Sequence, residues 1–276
     1  MHNPIHRISP ELWFALRPTA CRVLGKLSIF HQSYTPFVVF STPRSGSTLL
    51  IKSLQRHPHI VTRDEVLNPA DPACVEGRPI ESLRRVYLPQ PPSVEAVGCK
   101  IHYMQSPFGK DVSFEGSDTD IACQWLRRSK PDLKIIHLVR ENRLRVQVSL
   151  LLAHASNRWF VPRSSSLDDQ SGKPKRVALD VDAWADYMAR TAKRRKEVFS
   201  YFDQESVFRV TYSELVQDWN GATRRLQSFL GVEPCAIPQE TRKQNPEPLA
   251  ELIENYAEVE SVLRGTDQEW MLDDEY

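Results

Sequence analysis

The chain has 276 residues, 41% hydrophobic and 26% charged, which excludes a disordered, collagenous or low-complexity scaffold and is enough for a sizeable core. Its five cysteines (Cys21, Cys74, Cys99, Cys123 and Cys235) are scattered without a Cys-x-x-Cys pair, which argues against a zinc ribbon or a disulfide framework and favours a reducing compartment. The net charge of +1 is unevenly spread: residues 250–276 hold nine acids against one base, so the rest of the chain carries +9, a body suited to an anionic ligand.

In chain order, Leu12-Trp13-Phe14-Ala15-Leu16 is too short for a signal-peptide core, and Arg17-Pro18 ends it. No apolar run approaches the roughly 18 residues of a membrane span. A cytoplasmic chain without an integral membrane segment is therefore expected. Residues 19–31 place Ala20, Val23, Leu24, Leu27 and Phe30 at helical spacing. Phe37-Val38-Val39-Phe40 reads as a buried strand, and Thr48 to Arg56 as a helix closed by His57-Pro58. Residues 63–95 are proline-rich and irregular, with a helix over 80–88. A strand follows over 97–103, a helix over 119–128, a third strand over 134–139 and a helix over 143–157. Residues 158–179 are polar and basic and read as a mobile loop. A long helix covers 182–202, a fourth strand 206–211, and helices at 219–230 and 248–264 close the chain.

Strands alternating with helices predict an α/β fold, a central parallel sheet covered on both faces in three α/β/α layers. Residues 36–276 form one such domain behind an N-terminal helical extension, 1–35. Ligands of these sheets bind at the carboxyl ends of the strands. Chemistry is thus expected in the loops after residues 40, 103, 139 and 211.

The most informative segment is Phe37-Val-Val-Phe-Ser-Thr-Pro-Arg-Ser-Gly-Ser-Thr-Leu-Leu50. A buried strand enters a tight loop and leaves into a helix, so backbone N–H groups and the helix dipole point at an anion. Gly46 lets the backbone approach phosphate oxygens, Arg44 adds fixed positive charge, and Ser45, Ser47 and Thr48 add hydroxyls. This strand–P-loop–helix site is not a Walker A loop, because only one glycine and no lysine are present. The third strand ends in Arg140, not in the aspartate that holds magnesium in a nucleotide triphosphatase. No metal is expected.

Thr42-Pro-Arg-Ser-Gly-Ser-Thr-Leu-Leu50 resembles the 5′-phosphosulfate loop of sulfotransferases that use 3′-phosphoadenosine-5′-phosphosulfate (PAPS). Lysine commonly stands at the place of Arg44; arginine points to the bacterial carbohydrate branch, of trehalose and nodulation-factor type. Arg140 through Ser149 resembles the family's 3′-phosphate motif, an arginine at the strand end and a serine on the next helix. Arg143 and Arg145 suit a solvated basic helix face, as does Lys193-Arg194-Arg195-Lys196. Tyr212-Ser-Glu-Leu resembles the YEDL-type segment after a late strand, and also reads as a helix start. Lys243-Gln-Asn-Pro resembles the bacterial C-terminus, where Arg242 and Lys243 would close over the nucleotide. The RKGxxG loop of cytosolic sulfotransferases is absent.

The resemblance implies two candidates for the base that deprotonates the acceptor hydroxyl. Lys100-Ile101-His102 resembles the Lys-x-His pair of cytosolic members, with Lys100 on the transferring group and His102 as base. Glu65 resembles the catalytic glutamate of heparan-type and trehalose-type members and is preferred. A partly buried carboxylate is expected to have a raised pKa. The implied activity is sulfuryl transfer from PAPS to a hydroxyl, of a carbohydrate or small metabolite. The rivals are a P-loop kinase using ATP and magnesium, and a non-catalytic module that binds a nucleotide or, through residues 19–31, a membrane surface, although core packing is the expected use of that helix. Trp159 and Phe160 offer a sugar platform or a lid, or simply pack. No zinc finger, RNP-type motif or basic tail points to nucleic acid; a homodimer is compatible with the sequence.

Overall fold

The computed structural model describes residues 33–104, 115–163 and 176–273. The extension and the helix expected over 19–31 lie outside the described residues, as does most of the 158–179 loop.

Five strands form one parallel sheet, β1 (Thr35–Ser41), β2 (Ile60–Glu65), β3 (Ala96–His102), β4 (Lys134–Val139) and β5 (Val207–Thr211), in the order β2-β3-β1-β4-β5. Side-chain alternation divides the two faces. Val38 and Phe40 of β1 face one core with Val97, Cys99 and Ile101 of β3. That core is closed by α2 (Pro79–Val86) and α3 (Asp118–Ser129) through Leu83, Val86, Ala122 and Leu126. Phe37 and Val39 face the opposite core with Ile136, Leu138 and Val210. There α1 (Ser47–Leu54) and α7 (Trp219–Leu230) supply Leu50, Ile51, Leu54, Leu226 and Leu230. The expected three-layer α/β/α architecture is thus realised. A third apolar cluster joins α4 (Arg143–Ser156) and α5 (Val181–Phe199) to the C-terminal α8 (Leu249–Leu252) and α9 (Tyr256–Leu263). Among the described residues no helix is long and apolar enough to cross a membrane.

Two sequence expectations are corrected. Residues 60–65 form the edge strand β2, where an irregular segment was expected from residue 63 onward. Only Ile60 and Thr62 are buried along it, and the strand ends in the charges of Arg63, Asp64 and Glu65. The helix expected over 248–264 is two, α8 and α9. Ile253 is extended between them, bridging to Val177, and Asn255 bonds both backbone groups of Leu179. These distant partners replace the helical bonds that the local sequence favours.

The Tyr212 segment begins α6 (Tyr212–Gln217) with a reciprocal cap. Glu214 N donates to Thr211 Oγ1 at 3.1 Å, and Thr211 N donates to Glu214 Oε2 at 2.7 Å. The cap holds Tyr212 against the loop after β1.

Candidate active site

The loop between β1 and α1 turns through two left-handed residues, Arg44 at φ 63° and Gly46 at φ 90°. At Gly46 a Cβ would sit 2.7 Å from Cδ2 of Tyr212, so conformation and space both demand glycine. Arg44 has no such licence, and a non-glycine residue in this region signals a constrained functional loop. Ser45 turns inward, fully buried, and donates to the Thr42 carbonyl at 2.7 Å. Its hydroxyl braces the loop. Gly46, Ser47 and Thr48 face outward into a cavity of about 550 Å³.

The far wall of this cavity holds Arg140 and Ser149, on the end of β4 and on α4, and Tyr212 closes its side. Arg44 and Arg140 therefore point into one space. Arg44 Nε donates to Ser149 Oγ at 3.0 Å, and its other nitrogens donate to the Trp159 carbonyl and to Gln244 Oε1. Arg140 stacks its guanidinium 4.5 Å from the Tyr212 ring centre and reaches the Arg44 carbonyl at 3.4 Å. Burial first, and then the charge of Arg140, push the Arg44 guanidinium down to about 10, with Tyr212 opposing. Arg44 is still charged at neutral pH, but its neighbour and its burial make that charge costly until an anion arrives.

A strap over residues 239–245 crosses residues 158–163 through the antiparallel bridge Pro162–Thr241 and completes the wall. Arg242 N donates to Val161 O at 3.1 Å and Arg163 N to Glu240 O at 3.0 Å. Lys243 lies in this strap, as do Gln244 and Asn245. Trp159 and Phe160 also line the cavity, so these rings belong to it. Six cations face the space (Arg44, Arg140, Arg145, Arg163, Arg242 and Lys243) and no carboxylate among the described residues does. Arg145 corrects the expectation of a solvated helix face. It is buried, and its Nη1 donates to the Glu247 carbonyl at 2.7 Å.

Glu65, Lys100 and His102 do not line this cavity. They gather at the carboxyl ends of β2 and β3, behind the start of α1. A β-bulge shifts the β2–β3 register between Arg63 and Glu65, which re-aims consecutive side chains that a regular strand would send to opposite faces. Both carboxylates reach Lys100 as a result. Lys100 Nζ lies 2.6 Å from Asp64 Oδ1 and 3.8 Å from Glu65 Oε2, and donates to Thr48 Oγ1 at 3.1 Å. Thr48 thus touches both the cavity and this cluster. His102 Nε2 is 2.8 Å from Glu65 Oε1, while its Nδ1 faces the Ser41 hydroxyl at 3.1 Å and the Ser41 carbonyl at 3.2 Å. An imidazolium finds an acceptor at each nitrogen here. The Glu65 side chain is 26% exposed and that of His102 only 4%.

The expectation of a raised Glu65 pKa is overturned. Burial does act to raise it, but the charge and hydrogen bond of His102, then Lys100 and Asn68, outweigh burial and hold the carboxyl down to about 2. Among the described residues no three His, Cys, Asp or Glu side chains cluster as metal ligands.

Comparison with known proteins bears on what this edge does. A model of the sulfotransferase family matches residues 122–235, which contain Arg140, Ser149 and Tyr212. Nodulation protein H of Rhizobium meliloti (strain 1021) is 26% identical over 235 residues, covering 81% of this chain and 89% of that protein. Nodulation protein H of Rhizobium tropici is 25% identical over 240 residues, covering 83% and 90%. The chain is thus similar to a sulfotransferase family model over about two fifths of its length and to the nodulation proteins over most of it. A solved sulfotransferase from Alicyclobacillus acidocaldarius superposes with a TM-score of 0.46 at 18% identity, covering 86% of this chain and 98% of that one.

The sequence brought forward the loop, Arg140, Ser149, Tyr212 and Lys243, and the fold assembles them around one cavity. It missed Arg163, which no motif marks, and Asp64, whose reach depends on the bulge; Gln244 stood in a quoted motif without a role of its own.

Proposed function

We propose that this chain is a sulfotransferase that moves a sulfuryl group from PAPS to a carbohydrate hydroxyl, with the nucleotide in the cation-lined cavity and the acceptor beside Glu65. The observation that carries the reading is the cavity itself, with six cations, the hydroxyls of Ser47, Thr48 and Ser149, and no carboxylate among the described residues. Those groups fit a ligand with phosphates at two ends and supply none of the acid that a magnesium triphosphate site uses. When bound, PAPS supplies an activated sulfuryl group on its 5′-phosphate.

The amides at the start of α1, with Arg44, hold the 5′ end and stabilise charge on the departing phosphate. Arg44 acts electrostatically, since a guanidinium does not give up its proton. Arg140 and Ser149 hold the 3′-phosphate by charge-assisted hydrogen bonds. The rings of Trp159 and Phe160 offer stacking surface for the base. Lys100, tied to Thr48, stands between the two halves and places positive charge on the transferring group.

Glu65 takes the acceptor proton. Its exposure supports this assignment over His102, which lies behind it and holds the carboxylate in place. The similarity to nodulation proteins along most of the chain supports a carbohydrate acceptor.

A thermal-shift titration tests the donor. Adenosine 3′,5′-bisphosphate is expected to raise the melting temperature without magnesium, because a ligand of the native state stabilises it. A rise seen only with ATP and magnesium would replace this reading with a kinase.

A further inference from the structure

A second, smaller cavity opens at the same sheet edge on the opposite face from Glu65 and His102. It has a volume of about 30 Å³ and is walled by Thr42, Tyr103, His137, Arg143, Tyr187 and Arg195, and it shares Arg140 with the first cavity. A cavity needs roughly 10–15 Å³ of such space per water, so this one takes a group of about two or three heavy atoms, the size of a carboxylate.

Its lining calls for an anion. Tyr103 is 4% exposed, and its hydroxyl has no hydrogen-bond partner; nor does His137 Nε2. A buried polar atom left unpaired is costly, which makes both atoms ligand-seeking. Among the described residues, Arg143 and Arg195 form no ion pair or hydrogen bond, and no carboxylate lines the cavity. The two guanidiniums repel each other. Burial first and then Arg195 lower the Arg143 pKa, and burial, Arg195 and Arg209 push His137 down to about 4, so His137 faces the cavity neutral. The solvated face expected over 193–196 is therefore corrected at Arg195, which lines this cavity, and at Arg194, whose side chain is 14% exposed and paired with Glu197.

We infer that this cavity receives a carboxylate carried by the acceptor, gripped by Arg143 and Arg195 and by the Tyr103 hydroxyl. The inference rests on the proposed placement of the acceptor beside Glu65. Two chain steps connect the sites: Tyr103 follows His102, and Thr42 follows Ser41, the hydrogen-bond partner of His102. Both sites therefore lie at the carboxyl edge of the sheet, one on each face, and an acceptor that reaches around that edge meets both. The acceptor class is then a hydroxyl compound bearing a carboxylate, such as a sugar acid.

The test is calorimetry on protein saturated with adenosine 3′,5′-bisphosphate, which occupies the larger cavity. Acetate, methyl glucuronide and methyl glucoside are titrated separately. Acetate and the glucuronide are expected to saturate one site, and the neutral glucoside to bind at least ~10-fold more weakly than the glucuronide. Arg195→Gln is expected to weaken both carboxylates at least ~10-fold, and Tyr103→Phe by a smaller factor, with bisphosphate affinity within about twofold of the parent in each variant. That last measurement shows that the variants are folded. The inference is overturned if carboxylate binding is indifferent to both substitutions or if the glucoside binds as tightly as the glucuronide. It is equally overturned if acetate binds while the glucuronide is shut out. Failure of the bisphosphate to bind would strike the donor reading alone, since acetate titrations of the parent and the two variants can be compared on the unloaded chain.

Discussion

Two regions meet at Thr48 and treat charge in opposite ways. On the cavity side, Arg44 has only neutral partners among the described residues, namely a hydroxyl, a carbonyl and an amide oxygen, and a second guanidinium stands beside it. On the strand side, buried Lys100 and His102 are met by two carboxylates within 2.6 to 3.8 Å. On the proposed reading, the first region is left positive for a ligand that brings the opposite charge, and the second is balanced so that a group moving a proton works from a defined ionisation state. The contrast separates binding from chemistry on one sheet edge, so each half can be broken without the other.

The largest effect is expected on the strand side. Glu65→Gln keeps the shape and removes the base, and turnover should fall ~10²- to 10⁴-fold while bisphosphate affinity stays within about twofold. A parallel loss of nucleotide affinity would dissolve the division between the regions. Lys100→Met should follow. It strands Asp64 and Glu65 without their cation; these carboxylates are 39% and 26% exposed and keep part of their hydration, so the cost is about 1–3 kcal/mol. Denaturant unfolding measures that cost, and an unchanged midpoint would show that Lys100 does not hold the two carboxylates in the working protein. Arg140→Ala acts on the cavity side. Affinity for adenosine 3′,5′-bisphosphate should drop ~10- to 100-fold, while affinity for a nucleotide with only the 5′-phosphate hardly moves. Equal losses for the two ligands would remove Arg140 from the 3′ end.

The same contrast explains what was legible beforehand. Strands β1, β3, β4 and β5 carry apolar runs that declare themselves locally, and the loop after β1 carries its chemistry in consecutive residues. The strand β2 hid because an edge position buries little, and its charged end reads as a turn. Arg145 hid for a different reason. Its hydrogen-bond partner is the carbonyl of Glu247, about a hundred positions away, and no local pattern predicts that a helix arginine will be buried by a distant strap. The Glu65 error has the same origin. Burial alone raises a carboxyl pKa, and only the folded pairing of β2 with β3 brings His102 to it.

That pairing gives the smallest of the expected effects, in the acid range. The Glu65 carboxyl is held at about 2, below its ordinary value of 4.5, so the folded state binds its proton less readily than the unfolded chain does. The stabilisation is therefore fully present above pH 4.5 and is lost as the pH falls from there through about 2. Replacing Glu65 with Gln removes this contribution, so the stability curve of the variant should be flatter than that of the parent across this window. His102 supplies the largest of the lowering influences, which makes His102→Gln a second probe. It should raise the Glu65 pKa and move the parent's acid loss to higher pH without abolishing it. Urea midpoints measured at half-unit steps from pH 2 to pH 6 decide the matter. If the parent and both variants ran parallel there, His102 would not hold the Glu65 carboxyl down in the folded chain, and the assignment of the base would have to be rebuilt around His102 alone.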